Sequence, residues 1–233
     1  MKRKTDLLLL HGALGSQSQF ARLEKFLEPH FRVHVLDFSG HGNKVTDQEF
    51  SMELFQRDVL RYMSNNSLFS ASFFGYSMGG YVALKLALDY PEKIQKLMTL
   101  GTKIHWDAET AAKEVKLLNP EKMLEKIPQF VEALKNEHQG DWKSLVLKTA
   151  GMMQGLGNGK AVDLVTFKTI EVVVQVCLGS EDDMVSEKES KDLVDRLSKG
   201  NFLEIQGFKH PIGQVDQRRL SKIVMSYFSQ ESK

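Results

Sequence analysis

Short apolar runs alternate with amphipathic stretches along much of the chain. The runs lack the alternation of a half-buried strand, and several end at glycine or aspartate, which favours strands that are buried on both faces. Between them, apolar residues recur every three or four positions, as in Met52, Phe55 and Val59, and this spacing predicts helices. The predicted strands are residues 7–10, 33–36, 71–74, 96–101, 172–179 and 202–205.

Helices are predicted between most of these strands. Alternation of strand and helix at this spacing indicates a parallel sheet with helices on both of its faces. We therefore expect a single α/β domain over residues 1–233. The predicted helices outside the central segment are residues 19–27, 52–63, 81–88, 186–197 and 219–228.

The alternation stops between residues 105 and 167, where the pattern gives no strand. Glycines flank this segment, at Gly101 and in a run over residues 155–159 that we interpret as a flexible joint. We predict an inserted helical lid over residues 105–167, folded across the carboxyl edge of the sheet. Its predicted helices are residues 108–118, 121–135 and 142–153.

Composition narrows the class of protein. The chain of 233 residues carries 31 basic and 30 acidic side chains, a net charge of +1, so we expect no nucleic-acid partner and no membrane partner. The single cysteine, Cys177, lies inside a predicted strand and is expected to be buried and inert. Residues 1–4 are basic, but the apolar run after them is too short for a signal peptide or a membrane span, which predicts a cytoplasmic protein.

A G-x-S-x-G pattern at Gly75, Ser77 and Gly79 joins a predicted strand to a predicted helix. A serine on such a turn exposes its hydroxyl above the strand end, and the glycines let the two backbones approach. The N-terminus of the helix also directs N–H groups towards a developing oxyanion. A turn of small residues that only packs a helix on a sheet would show the same pattern.

Acidic side chains and a histidine follow the last two predicted strands. Asp182 and Asp183 come after one strand and His210 after the next. Ligands bind at the carboxyl ends of parallel strands, so these groups are expected near Ser77. A serine nucleophile needs a base, and the base needs an acid. The alternatives are an acidic turn ahead of a helix and a loop histidine held by Pro211.

Five segments together resemble the α/β-hydrolase fold family, in order and along the whole chain. Larger members of that family begin with an antiparallel strand pair, whereas here the strand that ends in His-Gly begins by residue 7. We therefore expect a mostly parallel sheet of about six strands. The segments are Leu10-His11-Gly12-Ala13, Asp37-Phe38-Ser39-Gly40-His41-Gly42, Gly75-Tyr76-Ser77-Met78-Gly79-Gly80, Gly179-x-x-Asp182-x-x-Val185 and Gly207-x-x-His210.

The resemblance implies a role for each matching residue. Ser77 would be the nucleophile, His210 the general base and then the general acid, and Asp182 the acid that orients His210, with Asp183 as its rival. The backbone N–H groups of Ala13 and Met78 would form the oxyanion hole. Two further histidines of the motifs are expected to brace loops at the sheet edge, namely His11 and His41.

The expected reaction is hydrolysis of a carboxylic ester of a small substrate through an acyl-serine intermediate, without a cofactor or a metal. A thioester or an amide is a less favoured substrate. Two alternatives keep the fold. One is a carbon–carbon lyase of the menaquinone pathway, although Tyr81 stands where that family has an arginine. The other is a non-catalytic receptor for a small ligand. The sequence leaves the physiological substrate and the oligomeric state open.

Four large side chains are candidates to bind the substrate. Aromatic and methionine side chains in the lid would line an acyl pocket, or would instead form the core of the lid itself. Met123 and Met153 share this prediction. The four candidates are Tyr81, Trp106, Trp142 and Met152.

Overall fold

Six parallel strands form one sheet, as predicted, and their order across the sheet is β2-β1-β3-β4-β5-β6. The computed structural model describes residues 4–229; residues 1–3, most of the basic N-terminal stretch, and residues 230–233 lie outside the described residues. The strands are β1 (Asp6–Leu10), β2 (Arg32–Val35), β3 (Ala71–Tyr76), β4 (Ile94–Leu100), β5 (Val174–Glu181) and β6 (Gly200–Lys209).

The leucine run of β1 shows why this sheet forms. Successive side chains of a strand point to opposite faces, so Leu8 and Leu10 join the core on one face, and Leu7 and Leu9 join the core on the other. All four side chains are fully buried. A continuous apolar run is therefore what a central strand covered by helices on both faces requires.

Nine α-helices accompany the sheet in residues 4–229. Several begin at a residue whose side chain caps them: Ser51 accepts a hydrogen bond from the N–H of Leu54, and Ser186 from that of Glu189. None of the described helices is long and apolar enough to cross a membrane. The helices are α1 (Ala21–Leu27), α2 (Met52–Asn65), α3 (Met78–Asp89), α4 (Ala108–Val115), α5 (Pro120–Lys126), α6 (Pro128–Glu137), α7 (Trp142–Gly155), α8 (Glu187–Arg196) and α9 (Gln217–Phe228).

The segment between β4 and β5 is helical, but one of its predicted helices is wrong. The single helix predicted over residues 121–135 is split into α5 and α6, because Pro128 disfavours a helical conformation at Ile127, whose φ is −136°. The run over residues 155–159 leads from the end of α7 into a wide turn with a kink, where Asn158 and Gly159 leave the helical conformation, and the flexibility of this joint stays a prediction. A Cβ atom on Gly157 would lie 2.4 Å from the Cβ of Ala111, so this glycine permits close packing against α4.

The helices between β4 and β5 are held against the loops at the carboxyl edge of the sheet. After α6, the N–H of Gln139 donates to the carbonyl of Gly42, in the loop after β2. After α7, the N–H of Val162 donates to the hydroxyl of Tyr81 on α3, at 2.7 Å. These contacts place the inserted helices over the strand ends.

We expect Gly79→Ala to lower the free energy of unfolding by about 3 kcal/mol. The new Cβ would lie 2.1 Å from the carbonyl oxygen of Leu10, a backbone atom that cannot rotate away. Gly151→Ala, in α7, is the matched control because nothing lies within 4 Å of its Cβ position. The control should raise stability by about 0.5–1 kcal/mol. Urea unfolding followed by circular dichroism measures both, and equal effects would contradict the steric argument.

Candidate active site

Ser77 occupies a strained turn between β3 and α3. Its φ of 51° and ψ of −118° are unusual for a residue with a side chain. The turn can be this tight because Gly75 has no side chain: a Cβ atom there would lie only 2.5 Å from the Cα of Gly80. The peptide group is held on both sides: the N–H of Ser77 donates to the carbonyl of Leu100 at 2.9 Å, and the Thr102 hydroxyl donates to the carbonyl of Ser77 at 3.2 Å.

A chain of hydrogen bonds joins Ser77, His210 and Asp182. Ser77 Oγ lies 3.1 Å from His210 Nε2, and His210 Nδ1 lies 2.8 Å from Asp182 Oδ2. An ionised carboxylate only accepts, so the proton of the neutral imidazole lies on Nδ1 and Nε2 is left to accept the serine proton. The loops after β3, β5 and β6 thus meet at one edge of the sheet.

The geometry distinguishes the two candidate acids. Asp182 Oδ1 accepts from the N–H groups of Met184 and Val185, both at 2.9 Å, while Oδ2 faces His210. Burial alone would raise the pKa of Asp182, but the bonds from His210 and from these backbone groups outweigh it and hold the pKa below its usual value. Asp183 is exposed to solvent. The structure therefore brings Asp182, and not Asp183, to the histidine.

Gly101 was not among the predicted site residues, yet it lies against the acid and the base. Its φ is +60°, and a Cβ atom there would lie 2.9 Å from Asp182 Oδ2 and 3.1 Å from His210 Nδ1. Glycine at this strand end therefore leaves room for the pair to form. The only signal in the sequence was a glycine directly after a buried strand.

The peptide group of Gly12 and Ala13 is fixed beside Ser77. The Gly12 carbonyl belongs to the same peptide group as the Ala13 N–H, and His11 Nδ1 donates to it at 2.8 Å. Nε2 of His11 accepts from the N–H of Phe38 at 3.1 Å, which sets this tautomer. Met78 is the first residue of α3, so its N–H has no acceptor within the helix. Ala13 and Met78 both line the cavity beside Ser77.

His138, which precedes α7, holds the loop that contains Ala13. Its Nδ1 accepts from the N–H of Gly42 at 2.8 Å, and its Nε2 donates to the carbonyl of Leu14 at 3.1 Å. Glu137 accepts from two serine hydroxyls of that loop, each at 2.6 Å. No motif includes His138, so sequence reasoning had no signal for it.

The two histidines of the sequence motifs are buried and brace loops, as predicted. His11 joins the ends of β1 and β2 through its bonds to Gly12 and Phe38. His41 is fully buried, lies near the ring of His11 with 5.0 Å between centroids, and donates from Nδ1 to the carbonyl of Ser39. Burial lowers the pKa of His11 to about 4 and that of His41 well below its usual value, so both are neutral near pH 7.

A largely apolar inner cavity opens beside Ser77. With its mouth it has a volume of about 480 Å³, and Met52, Met153 and Leu156 form part of its wall. Three of the four candidate substrate-binding residues also line it: Tyr81, Trp106 and Met152.

Two other predicted lining residues do not reach the inner cavity. Trp142, at the start of α7, and Met123 are buried in the hydrophobic core that the inserted helices share with the sheet. Trp142 and Met123 are only 8% and 3% exposed. The helical period gave their spacing but not which side of each helix faces Ser77.

A wider outer groove meets the inner cavity at the candidate catalytic residues. Ser77 and His210 line both spaces, and the groove, including its open side, measures about 1050 Å³. Leu117 and Phe130 of the inserted segment form part of its wall and are largely exposed. The serine hydroxyl therefore lies where two chains of one substrate can extend in different directions.

Potential metal ligands and the single cysteine are the remaining groups that could carry chemistry. Within residues 4–229, no three side chains among His, Cys, Asp and Glu come together as a metal site would require. Burial raises the pKa of the Cys177 thiol to about 12, so this cysteine is neither charged nor accessible.

The fold and the serine on its tight turn define an α/β-hydrolase, and the comparison with known families agrees. The family model for the alpha/beta hydrolase fold matches residues 6–161. The chain belongs to this family.

Among curated proteins, the chain is similar to pimeloyl-[acyl-carrier protein] methyl ester esterases of bacteria. It is 33% identical to the Photorhabdus laumondii protein over 105 residues, which is 45% of this chain and 39% of that protein. It is 27% identical to the Aliivibrio fischeri protein over 157 residues, 67% of this chain and 55% of that protein. The matches thus span less than two thirds of the length of these relatives.

Among solved structures, the similarity extends over nearly the whole chain. The enol-lactonase from Burkholderia xenovorans superposes with a TM-score of 0.80 at 18% identity, covering 98% of this chain and 92% of that one. A thermophilic esterase from Thermogutta terrifontis gives a TM-score of 0.78 at 18% identity, covering 97% and 89%. At such identities these structures establish the fold alone.

We expect the neutral His11 to make stability depend on pH between about 6.5 and about 4. In this range the unfolded chain binds a proton at His11 and the folded chain does not, so the free energy of unfolding falls as the pH is lowered. The full contribution is about 3 kcal/mol.

In His11→Asn this contribution is absent, so the stability difference between wild type and variant should narrow as the pH falls. Urea unfolding over this pH range measures the difference. His30→Asn, at an exposed position, is the matched control for replacing a histidine by asparagine. A constant difference for His11→Asn would show that His11 is protonated in the fold.

Proposed function

We propose that the chain is a serine hydrolase that cleaves a carboxylic ester of a small substrate through an acyl-serine intermediate. The observation that supports this most strongly is the chain of contacts from Ser77 Oγ to His210 Nε2 and from His210 Nδ1 to Asp182, at 3.1 and 2.8 Å. A histidine that only packed in a loop would need neither contact. In this proposal Ser77, His210 and Asp182 are the catalytic triad.

In the first half of the reaction, Ser77 Oγ attacks the carbonyl carbon of the ester while His210 Nε2 takes the hydroxyl proton. Asp182, ionised and bonded to Nδ1, stabilises the imidazolium that forms. The carbon–oxygen bond to the alcohol then breaks, and the imidazolium returns its proton to the leaving alkoxide. The products of this half-reaction are the alcohol and the acyl-serine.

In the second half, water replaces the alcohol. His210 Nε2 takes a proton from water as its oxygen attacks the acyl carbon, and returns that proton to Ser77 Oγ when the acid leaves. The N–H groups of Ala13 and Met78 are the proposed donors to the oxyanion in both halves, each contributing about 3 kcal/mol to the barrier reduction. The bond from His11 to the Gly12 carbonyl fixes the orientation of the Ala13 donor.

The names of the curated relatives support the same class of reaction. Those proteins are methyl ester esterases, and the stretch shared with the Photorhabdus laumondii protein is 33% identical. An ester substrate also fits the shape of the site, since the inner cavity and the outer groove can take the two sides of one ester.

We also propose that the inserted segment over residues 105–167 acts as a lid. Its side chains supply much of the apolar wall on both sides of Ser77, including Met152 in the inner cavity and Phe130 in the outer groove. Such a cover would exclude water from the acyl group and would set which esters fit.

Ser77→Ala should abolish ester hydrolysis in purified protein, because the covalent step needs the hydroxyl, and should leave the fold intact. The measurement is the hydrolysis rate of p-nitrophenyl esters. A fluorophosphonate should label the wild type at Ser77 and leave the variant unlabelled. Unchanged hydrolysis in the variant would refute the proposed nucleophile. Binding of esters without turnover in the wild type would favour a receptor.

Asp182→Asn should lower kcat by about 10⁴-fold relative to the wild type, because an amide at this position favours the wrong tautomer of His210. Asp183→Asn should cause only a modest loss. Asp183→Asn is the matched control, one residue away and exposed. Steady-state kinetics with one p-nitrophenyl ester compares them. The opposite ranking would show that the acid loop has another register in the working enzyme.

A further inference from the structure

We propose that the inner cavity binds an ester chain that carries a hydroxyl group, held between Lys103 and Glu114. The inference rests on the proposed function in one respect, that the ester is placed at Ser77. The cavity is otherwise walled mainly by methionine, leucine, valine and aromatic side chains, and Lys103 and Glu114 are the charged residues of its lining besides the histidine of the triad.

The ammonium group of Lys103 has unused hydrogen-bond donors. Its Nζ lies 3.6 Å from Glu114 Oε1 and 3.7 Å from Glu189 Oε2, which are ion-pair distances but too long for hydrogen bonds. No other acceptor for Nζ occurs among the described residues. The Lys103 side chain is only 18% exposed, so water cannot fully solvate the ammonium group.

The two carboxylates near Lys103 differ in what they already bind. Glu189 Oε1 accepts from the N–H groups of Ile104 and His105, both at 2.7 Å, so Glu189 serves the loop after β4. Glu114, on α4, is 8% exposed and lines the cavity. Glu114 is therefore the acceptor that a ligand in the cavity can use.

Trp106 supplies a second, independent sign of a polar ligand. Its ring lines the same cavity, and its Nε1–H is buried without a hydrogen-bond partner among residues 4–229. A buried donor with no acceptor costs stability, and a ligand oxygen would remove that cost. The lining of the inner cavity thus includes two donor groups and one acceptor.

A hydroxyl group matches this set better than an alkyl or an acidic group. A hydroxyl oxygen accepts from two donors and gives its own proton to a carboxylate. An alkyl end would leave the ammonium and the carboxylate in contact with apolar atoms. A carboxylate would add a third negative charge beside Glu114 and Glu189, with Lys103 as the counter-charge.

The test compares methyl esters that are matched in chain length. Straight-chain acids from butanoate to octanoate are paired with counterparts in which a terminal hydroxyl replaces the methyl group, and with monomethyl esters of the corresponding diacids. In the wild type, kcat/KM for the best hydroxy ester should exceed that of its alkyl partner at least about tenfold, and that of the diacid ester by more.

Two variants and a control connect this selectivity to the proposed site. Lys103→Met should bring the ratio of kcat/KM for the hydroxy ester to kcat/KM for the alkyl ester towards one. Trp106→Phe, which keeps a ring but removes the N–H, should lower this ratio in part. Lys113→Met is the control, because Lys113 is an exposed lysine beside Glu114 on the same helix, and it should leave the ratio unchanged. Fluorophosphonate labelling of Ser77, measured in parallel, separates loss of fold from loss of selectivity.

The outcomes separate this inference from the proposed function. Equal turnover of hydroxy and alkyl esters, or a preference for the diacid ester, would overturn the hydroxyl site while leaving the hydrolase in place. A wild type that neither turns over esters nor reacts with the fluorophosphonate would overturn the hydrolase instead. Calorimetric binding of the paired esters to Ser77→Ala protein then tests the hydroxyl preference without any turnover, and equal affinities there would refute it.

Discussion

The site depends on the contact between the backbones of β3 and α3. At Gly75 and Gly79 these backbones approach other main-chain atoms so closely that no Cβ atom fits. This contact forces Ser77 into its unusual conformation and presents the first N–H groups of α3 on the same side as the serine hydroxyl. The strain at this one residue is held by a fully buried strand and by two hydrogen bonds of the Ser77 peptide groups, from its N–H to the carbonyl of Leu100 and from the Thr102 hydroxyl to its carbonyl.

Around this turn, the loop that contains Ala13 and the pair of Asp182 and His210 are held in place by residues from distant parts of the chain. His11 bonds to the peptide group that carries the N–H of Ala13, and His138 of the inserted segment bonds to the carbonyl of Leu14 in the same loop. Gly101 leaves the space in which Asp182 and His210 meet. The proposed chemistry and the proposed lid are therefore linked in space, because His138 of the inserted segment holds the loop that contains Ala13, the proposed oxyanion donor.

The two spaces beside Ser77 differ in their surroundings. The outer groove is open and has largely exposed apolar residues in its wall, such as Leu117. The inner cavity is largely apolar, but its lining includes a lysine and a glutamate that do not satisfy each other with a hydrogen bond. Size and apolar contact would select one side of a substrate, and hydrogen bonding would select the other.

The sequence by itself determined the sheet and the turn. Apolar runs such as that of β1 and a G-x-S-x-G between strand and helix are local patterns that the sequence shows directly. The order of Ser77, Asp182 and His210 along the chain matches that of the α/β-hydrolase family, which predicted that the three residues act together. Because parallel strands end at one edge, even distant residues could be expected together.

Only the tertiary structure decided what depends on contacts between separate elements. It turned Trp142 into the core and Trp106 towards the cavity, and it brought Lys103 to Glu114. A helical period gives the spacing of side chains but not the face that meets the site, and a histidine such as His138 has no partner until the chain folds.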